Sequence, residues 1–275
     1  MALLSRHKHA LHWLHIGLVL AVLLIVAPWL SRIGSGAALL WLFVVATVAW
    51  CQNIGLLHHF AHHLPYGPRW LGSAVASALH GLGGLGYTRA RLAHRLHHAY
   101  LGTERDPDRL GYQATATFAG RLRHLFLIGP LRGRFAPVDI GEALQAMSAT
   151  RRARFETQCR RDRVAIVLAH GVLLLLCGAG YAVVLAALLF ANVLSNAREM
   201  AEHGDRGRVA YVDIRVSPLG LLLFSTPGFW FHGRHHLDAK RHYLDLPSHA
   251  GGFTEAANLP QLQRRGVVRY LLTGT

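Results

Sequence analysis

The block Val164–Ala197, VAIVLAHGVLLLLCGAGYAVVLAALLFANVLSNA, decides how this chain is read. A helix needs about 20 apolar residues to cross the hydrocarbon of a bilayer. The block has 34 residues, too many for one crossing and enough for a tight hairpin. Its turn is expected at Gly178–Gly180, where glycine tolerates backbone conformations closed to other residues. Both helices are expected to extend beyond the block, before Val164 and past Ala197.

Working outward, two earlier stretches have the same character. Trp13–Leu30, WLHIGLVLAVLLIVAPWL, is long enough to span, with Pro28 near its far end. The polar turn SRIGSG follows, and then Ala37–Leu57, AALLWLFVVATVAWCQNIGLL, runs directly into His58. The first run is too long for a cleaved signal peptide and no A-x-A site follows it. Gly72–Tyr87 is apolar but short and glycine-rich, so it reads as half-buried or interfacial. The expected fold is an all-α integral membrane protein with four transmembrane helices over residues 13–30, 37–57, 162–180 and 181–200. They form two hairpins beneath a helical cap, in one domain covering residues 1–275.

Composition agrees with this reading. The chain is 52% hydrophobic and only 16% charged, yet it carries a net charge of +15. In so apolar a chain the basic excess points to a membrane surface rather than to nucleic acid. With two hairpins, every Lys and Arg except Arg32 falls on one side. The positive-inside rule makes that side, with both termini, cytoplasmic, and a bacterial inner membrane is the expected location. The three cysteines, Cys51, Cys159 and Cys177, share no metal-binding or disulfide spacing.

Histidine is the anomaly, with 20 residues against 14 Asp and Glu. Three clusters stand out: HHFAHH (His58–His63), HRLHH (His94–His98) and HGRHH (His232–His236). Positions i, i+3 and i+4 share one side of a helix, so each HxxHH is expected to aim His94, His97 and His98, or His232, His235 and His236, at a common point. Two such boxes beside HxxxHH arise by chance on the order of one time in a hundred or less. All three clusters fall on the basic side, where they can converge. Neutral imidazole suits iron, zinc and copper. Eight or more histidines exceed what one metal binds, so two metals are expected.

These boxes, with the acidic turn in HRLHHAYLGTERDPD and the run HGRHHLDAKRHYLDLPSH, resemble the membrane fatty acid desaturase family and its hydroxylase relatives. Ala239 and His242 stand where that family usually has prolines. The family register makes His58 and His62 ligands, leaving His63 as an alternative ligand or a brace. The resemblance also assigns the lone His203 of AREMAEHGD as a ligand, and Glu199, one turn earlier, as a water-mediated contact. Asp106 and Asp108 take the place of carboxylates that brace metal-bound imidazoles, and His242 and His249 are further bracing candidates. His7, His9, His12 and His15 are assigned to the N-terminal membrane interface, and His170 to a helix contact or cavity.

The resemblance implies two non-haem irons, O2 as co-substrate, a lipid or acyl substrate entering from the bilayer, and an external electron donor of ferredoxin or cytochrome type. It implies oxidation at an unactivated C–H bond: desaturation of an acyl chain, or hydroxylation or ketolation of an acyl, alkane or carotenoid substrate. The GTERDPD turn also looks like that of carotenoid ketolases, which keeps the second outcome open. A membrane metal transporter or storage protein is the rival from another class. It would place ligands near the midplane, whereas these lie beyond the helix ends.

Overall fold

The computed structural model describes residues 7–63, 67–112, 117–128, 140–204, 212–215, 217–224, 231–239, 241–245 and 264–274. Helices α1 (Lys8–Ala21) and α2 (Ala27–Ile33) are joined by a π-helical turn at Val22–Val26. The turn has a local cause in Pro28. Proline donates no N–H and its ring crowds the carbonyl four residues back, so wider winding just ahead of it relieves the clash. Gly34, at φ 67°, ends α2. Ser35 then starts α3 (Gly36–His62), its Oγ accepting the Ala38 N–H at 3.2 Å.

After α3 come α4 (Arg69–Leu82), α5 (Tyr87–Tyr100) and the short helices α6 (Arg109–Tyr112), α7 (Phe118–Arg123) and α8 (Gly141–Gln145). Helices α9 (Ala149–Cys177) and α10 (Tyr181–His203) flank a 3-10 turn at Gly178–Gly180. The remaining elements are β1 (Asp213–Arg215), α11 (Pro218–Phe224), α12 (His232–Leu237), β2 (Arg264–Gly266) and α13 (Val267–Thr273). The two strands pair in parallel, Asp213 opposite Arg264, a contact that the sequence pattern does not announce. Otherwise the described residues are all-α.

Three helical segments are long and apolar enough to cross a membrane: Lys8–Ile33, Gly36–His62 and Ala149–His203. The third, of 55 residues, doubles back on itself. His170 Nδ1 lies 2.8 Å from the Tyr181 hydroxyl, although eleven residues of straight helix would separate them by about 16 Å. Gly178, at φ 53°, makes the reversal. The two helical turns meet at one end of the molecule. Ser31 Oγ donates to the Cys177 carbonyl, and a side chain at Gly180 would collide with Ser31.

From that end α3 and α10 run side by side. Buried Trp50 donates its Nε1–H to the Val184 carbonyl at 3.3 Å, within a core that includes Leu23, Leu42, Leu173 and Leu188. Helix α4 lies against α9, where a Cβ on Gly81 would stand 3.0 Å from the Ala165 carbonyl oxygen. Glycine is what permits that approach. Leu18, Ile25, Trp41, Val167 and Leu175 point outward, as side chains facing acyl chains do. Apolar faces of this extent mark a surface that meets lipid or a partner rather than water. At the opposite end, His62 closes α3 and His203 closes α10, and both carry their imidazoles toward α5 and α12.

Candidate metal centre

Side chains from four helices meet at this end. Ring nitrogens of His58 and His62 (α3), His94 and His98 (α5) and His235 (α12) all lie within 4.8 Å of one another. A second group joins His97 (α5), His203 (α10) and His236 (α12), and His203 is also grouped with His232 and Glu202. The groups adjoin, with the His98 and His236 rings stacked at 4.1 Å between centroids.

The two HxxHH boxes therefore do not each aim at one point, as the spacing alone led us to expect. In α5, His94 and His98 serve the first group and His97 the second. In α12, His232 and His236 serve the second and His235 the first. The cause is helical geometry. Positions i and i+4 stack along one face, whereas i+3 lies about 100° around the axis from i+4. Each box feeds both groups in opposite proportions.

Within the groups the Nε2 atoms approach one another closely. His58 and His235 are 3.1 Å apart, and His98 Nε2 is 3.1 Å from both His62 Nε2 and His94 Nε2. In the second group His203–His232 is 2.9 Å and His232–His236 is 3.0 Å. A single Nε2 carries either one proton or one lone pair, so His98 cannot make two good hydrogen bonds here. A shared cation explains the convergence. Ligands about 2.1–2.2 Å from a metal and at right angles lie about 3.0–3.1 Å apart, whereas a tetrahedral zinc site would set them about 3.4 Å apart. The donor set thus fits two metal ions held by imidazole nitrogens, with spacings that suit ligands at right angles.

Protonation is consistent with ligation. Burial, followed by neighbouring imidazoles, holds His94, His232, His235 and His236 well below the ordinary histidine pKa, and His98 down to about 3. These rings keep their lone pairs. His97 differs: burial opposes its charge, but the Asp106 hydrogen bond and the charges of Asp108, Asp106 and Glu199 more than offset that and raise its pKa.

Of the two acids in the DPD turn, Asp106 is the brace. Its carboxylate accepts from His97 Nδ1 at 2.9 and 3.1 Å, from the Asp108 N–H at 2.8 Å, from the Gly102 N–H at 3.2 Å and from the Tyr112 hydroxyl. Asp108 contributes its backbone N–H to this arrangement. Tyr112 carries no spacing signal and its part escapes a sequence reading. Glu199 enters neither group of convergent donors among the described residues, although its charge acts on His97. Glu202, three residues on, does enter.

His63 stands apart from both groups, its ring stacked on His59 at 5.2 Å. His59 joins His12 and His242 in a separate buried trio beside Tyr243. His12 is therefore not an interfacial histidine: it is fully buried, with Nδ1 3.3 Å from the Tyr243 hydroxyl. Lys8 reaches Asp245 at 2.7 Å, so α1 is fastened to the chain just after α12. His170 makes a helix contact through Tyr181. His249 lies outside the described residues.

Residues 33–264 match the family model described as Fatty acid desaturase. The match covers most of the chain and all three histidine boxes, so the chain belongs to the fatty acid desaturase family. No curated protein and no solved structure matches it. Membership of that family makes the chain an oxidoreductase of the histidine-box class, and its three long apolar helical segments suit a membrane protein.

Proposed function

We propose that the protein is an O2-dependent fatty acid desaturase that places a double bond in a lipid-borne or thioester-borne acyl chain, using two non-haem irons. The observation that carries this reading is the convergence of nine imidazoles into two adjoining groups, with five Nε2 pairs among eight of them at 2.9–3.1 Å. In this reading His58, His62, His94, His98 and His235 hold one iron, and His97, His203, His232 and His236 hold the other. Asp106 orients His97 through Nδ1, leaving Nε2 for the metal. Bound iron supplies the activation of O2 with two electrons. The protein supplies the rest: it fixes the ligands, keeps the lone pairs of His94, His98, His232, His235 and His236 free by burial, and shields the centre within the helical cap.

The hairpins are read as four spans, residues 13–30, 37–57, 162–180 and 181–200, in one domain with both termini in the cytoplasm of a bacterial cell. Such a topology puts the centre at the cytoplasmic ends of α3 and α10. Acyl chains reach it from the bilayer, and a reduced ferredoxin or cytochrome delivers electrons at the basic cytoplasmic face. The GTERDPD turn supports a second reading, hydroxylation or ketolation by the same centre. Expression in a host of known lipid composition, with acyl chains and pigments profiled by mass spectrometry, separates the two. A new double bond absent from the His97→Ala variant is expected. New hydroxyl or keto products instead would overturn desaturation.

A further inference from the structure

One carboxylate is buried against the second histidine group with part of its bonding capacity unused. Glu202 is 1% exposed. Its Oε2 lies 3.7 Å from His232 Nε2, and its Oε1 lies 3.3 Å from Arg198 Nε, an ion pair along one turn of α10. That pair lacks hydrogen-bond alignment: among the described residues Oε1 accepts no hydrogen bond. A buried carboxylate is normally fully hydrogen-bonded, because desolvation is otherwise uncompensated. Asp106 shows the contrast, with four donors around its two oxygens. Asp106 is saturated and turned to the back of His97. Glu202 is unsaturated, and it faces ring nitrogens on the side where they converge.

Charge gives the second reason. Two divalent ions would bring four positive charges into a pocket walled by neutral imidazoles, in a chain whose net charge is already +15. Buried charge without a counter-charge is strongly unfavourable. Arg198 adds another positive group, 6% exposed, beside the second set of ligands. An anion is therefore needed on the side of the pocket away from Asp106, and Glu202 is the carboxylate grouped with His203 and His232 there.

We propose that Glu202 is itself a metal ligand, binding through Oε2 the ion held by His203 and His232, while Arg198 positions the other oxygen. This rests on the two-metal reading given above. It makes the two ions chemically unlike: one sits among imidazoles alone, the other has an anionic oxygen donor. Hard oxygen donors suit the harder, more highly charged ion, so the second metal is the one more readily kept oxidised.

The test is metal titration of purified full-length protein. Wild type, Glu202→Gln and Glu202→Asp are stripped, titrated with Fe(II) under argon and counted by mass spectrometry after desalting. Wild type is expected to retain two ions. Glu202→Gln, matched in shape but uncharged, is expected to retain one and to bind the second about 10–100-fold more weakly. Glu202→Asp keeps the charge and is expected to lose less. If Glu202→Gln binds both ions as tightly as wild type, the proposal is overturned. Should Glu202→Gln fail to fold, Glu202→Asp decides: an altered second-ion affinity supports ligation and an unaltered one refutes it. A wild type that retains fewer than two ions sinks the two-metal reading first, a result distinguishable from the other because it needs no variant.

Discussion

His97 Nδ1 meets the Asp106 carboxylate at 2.9 Å, nine residues along the chain, with both side chains closed to solvent. That contact fixes which ring nitrogen of His97 faces the metal groups. Asp106→Asn keeps the shape but can present the wrong hydrogen-bond partner. We expect it to lower metal affinity or product formation about 10–100-fold. Asp108→Asn retains the backbone N–H that Asp106 uses, and its activity should stay close to that of wild type. Product yield and iron content of the two variants, compared side by side, check the distinction. Equal losses would contradict it.

Stability is expected to fall in acid in part through His80. Burial presses its pKa from 6.5 to about 4, although its Nδ1–H donates to the Ala76 carbonyl at 2.8 Å. Between those values the unfolded chain binds a proton that the folded chain refuses. His80 therefore destabilises the fold as pH drops from 6.5 to 4, and its contribution is neutral above that window. A shift of this size is worth about 3 kcal/mol as an upper figure. His242, held down to about 3 chiefly by burial, acts in the same direction. Thermal unfolding midpoints in detergent at pH 7.5 and pH 5 measure the loss. His80→Asn should show a smaller drop between the two than wild type.

The fastening of α1 to the segment after α12 predicts a structural effect without a change in ligands. Tyr243→Phe removes the hydroxyl beside His12, and Lys8→Met removes the 2.7 Å ion pair with Asp245. Each is expected to cost about 0.5–1.5 kcal/mol and to lower the unfolding midpoint, while iron content stays unchanged. Loss of iron in Tyr243→Phe would instead tie the His12, His59 and His242 trio to the metal centre.

Two signals made the apolar segments and the boxes legible in sequence: the length of the apolar runs, and the helical spacing that HxxHH announces. What was illegible depends on contacts between elements remote in sequence. Helical geometry splits each box between two directions, but which group each direction meets depends on how α5 faces α12, so the three imidazoles of a box do not share one point. His12 looks interfacial in its own helix, but His59, Phe60, His242 and Tyr243 pack around its ring. The closeness of Glu202 to His203 and His232 has no signal in sequence, since no spacing rule singles out the residue beside a histidine. The β1–β2 pairing joins two three-residue strands 51 positions apart at Asp213 and Arg264, too short for any period to register.

The most direct measurement is iron content together with X-ray absorption on purified, iron-loaded protein. The account predicts two irons per chain, with a first shell of about five or six nitrogen and oxygen neighbours at about 2.1–2.2 Å and the outer-shell pattern of imidazole. One iron or none per chain, or four-coordinate metal at about 2.0 Å, would contradict it.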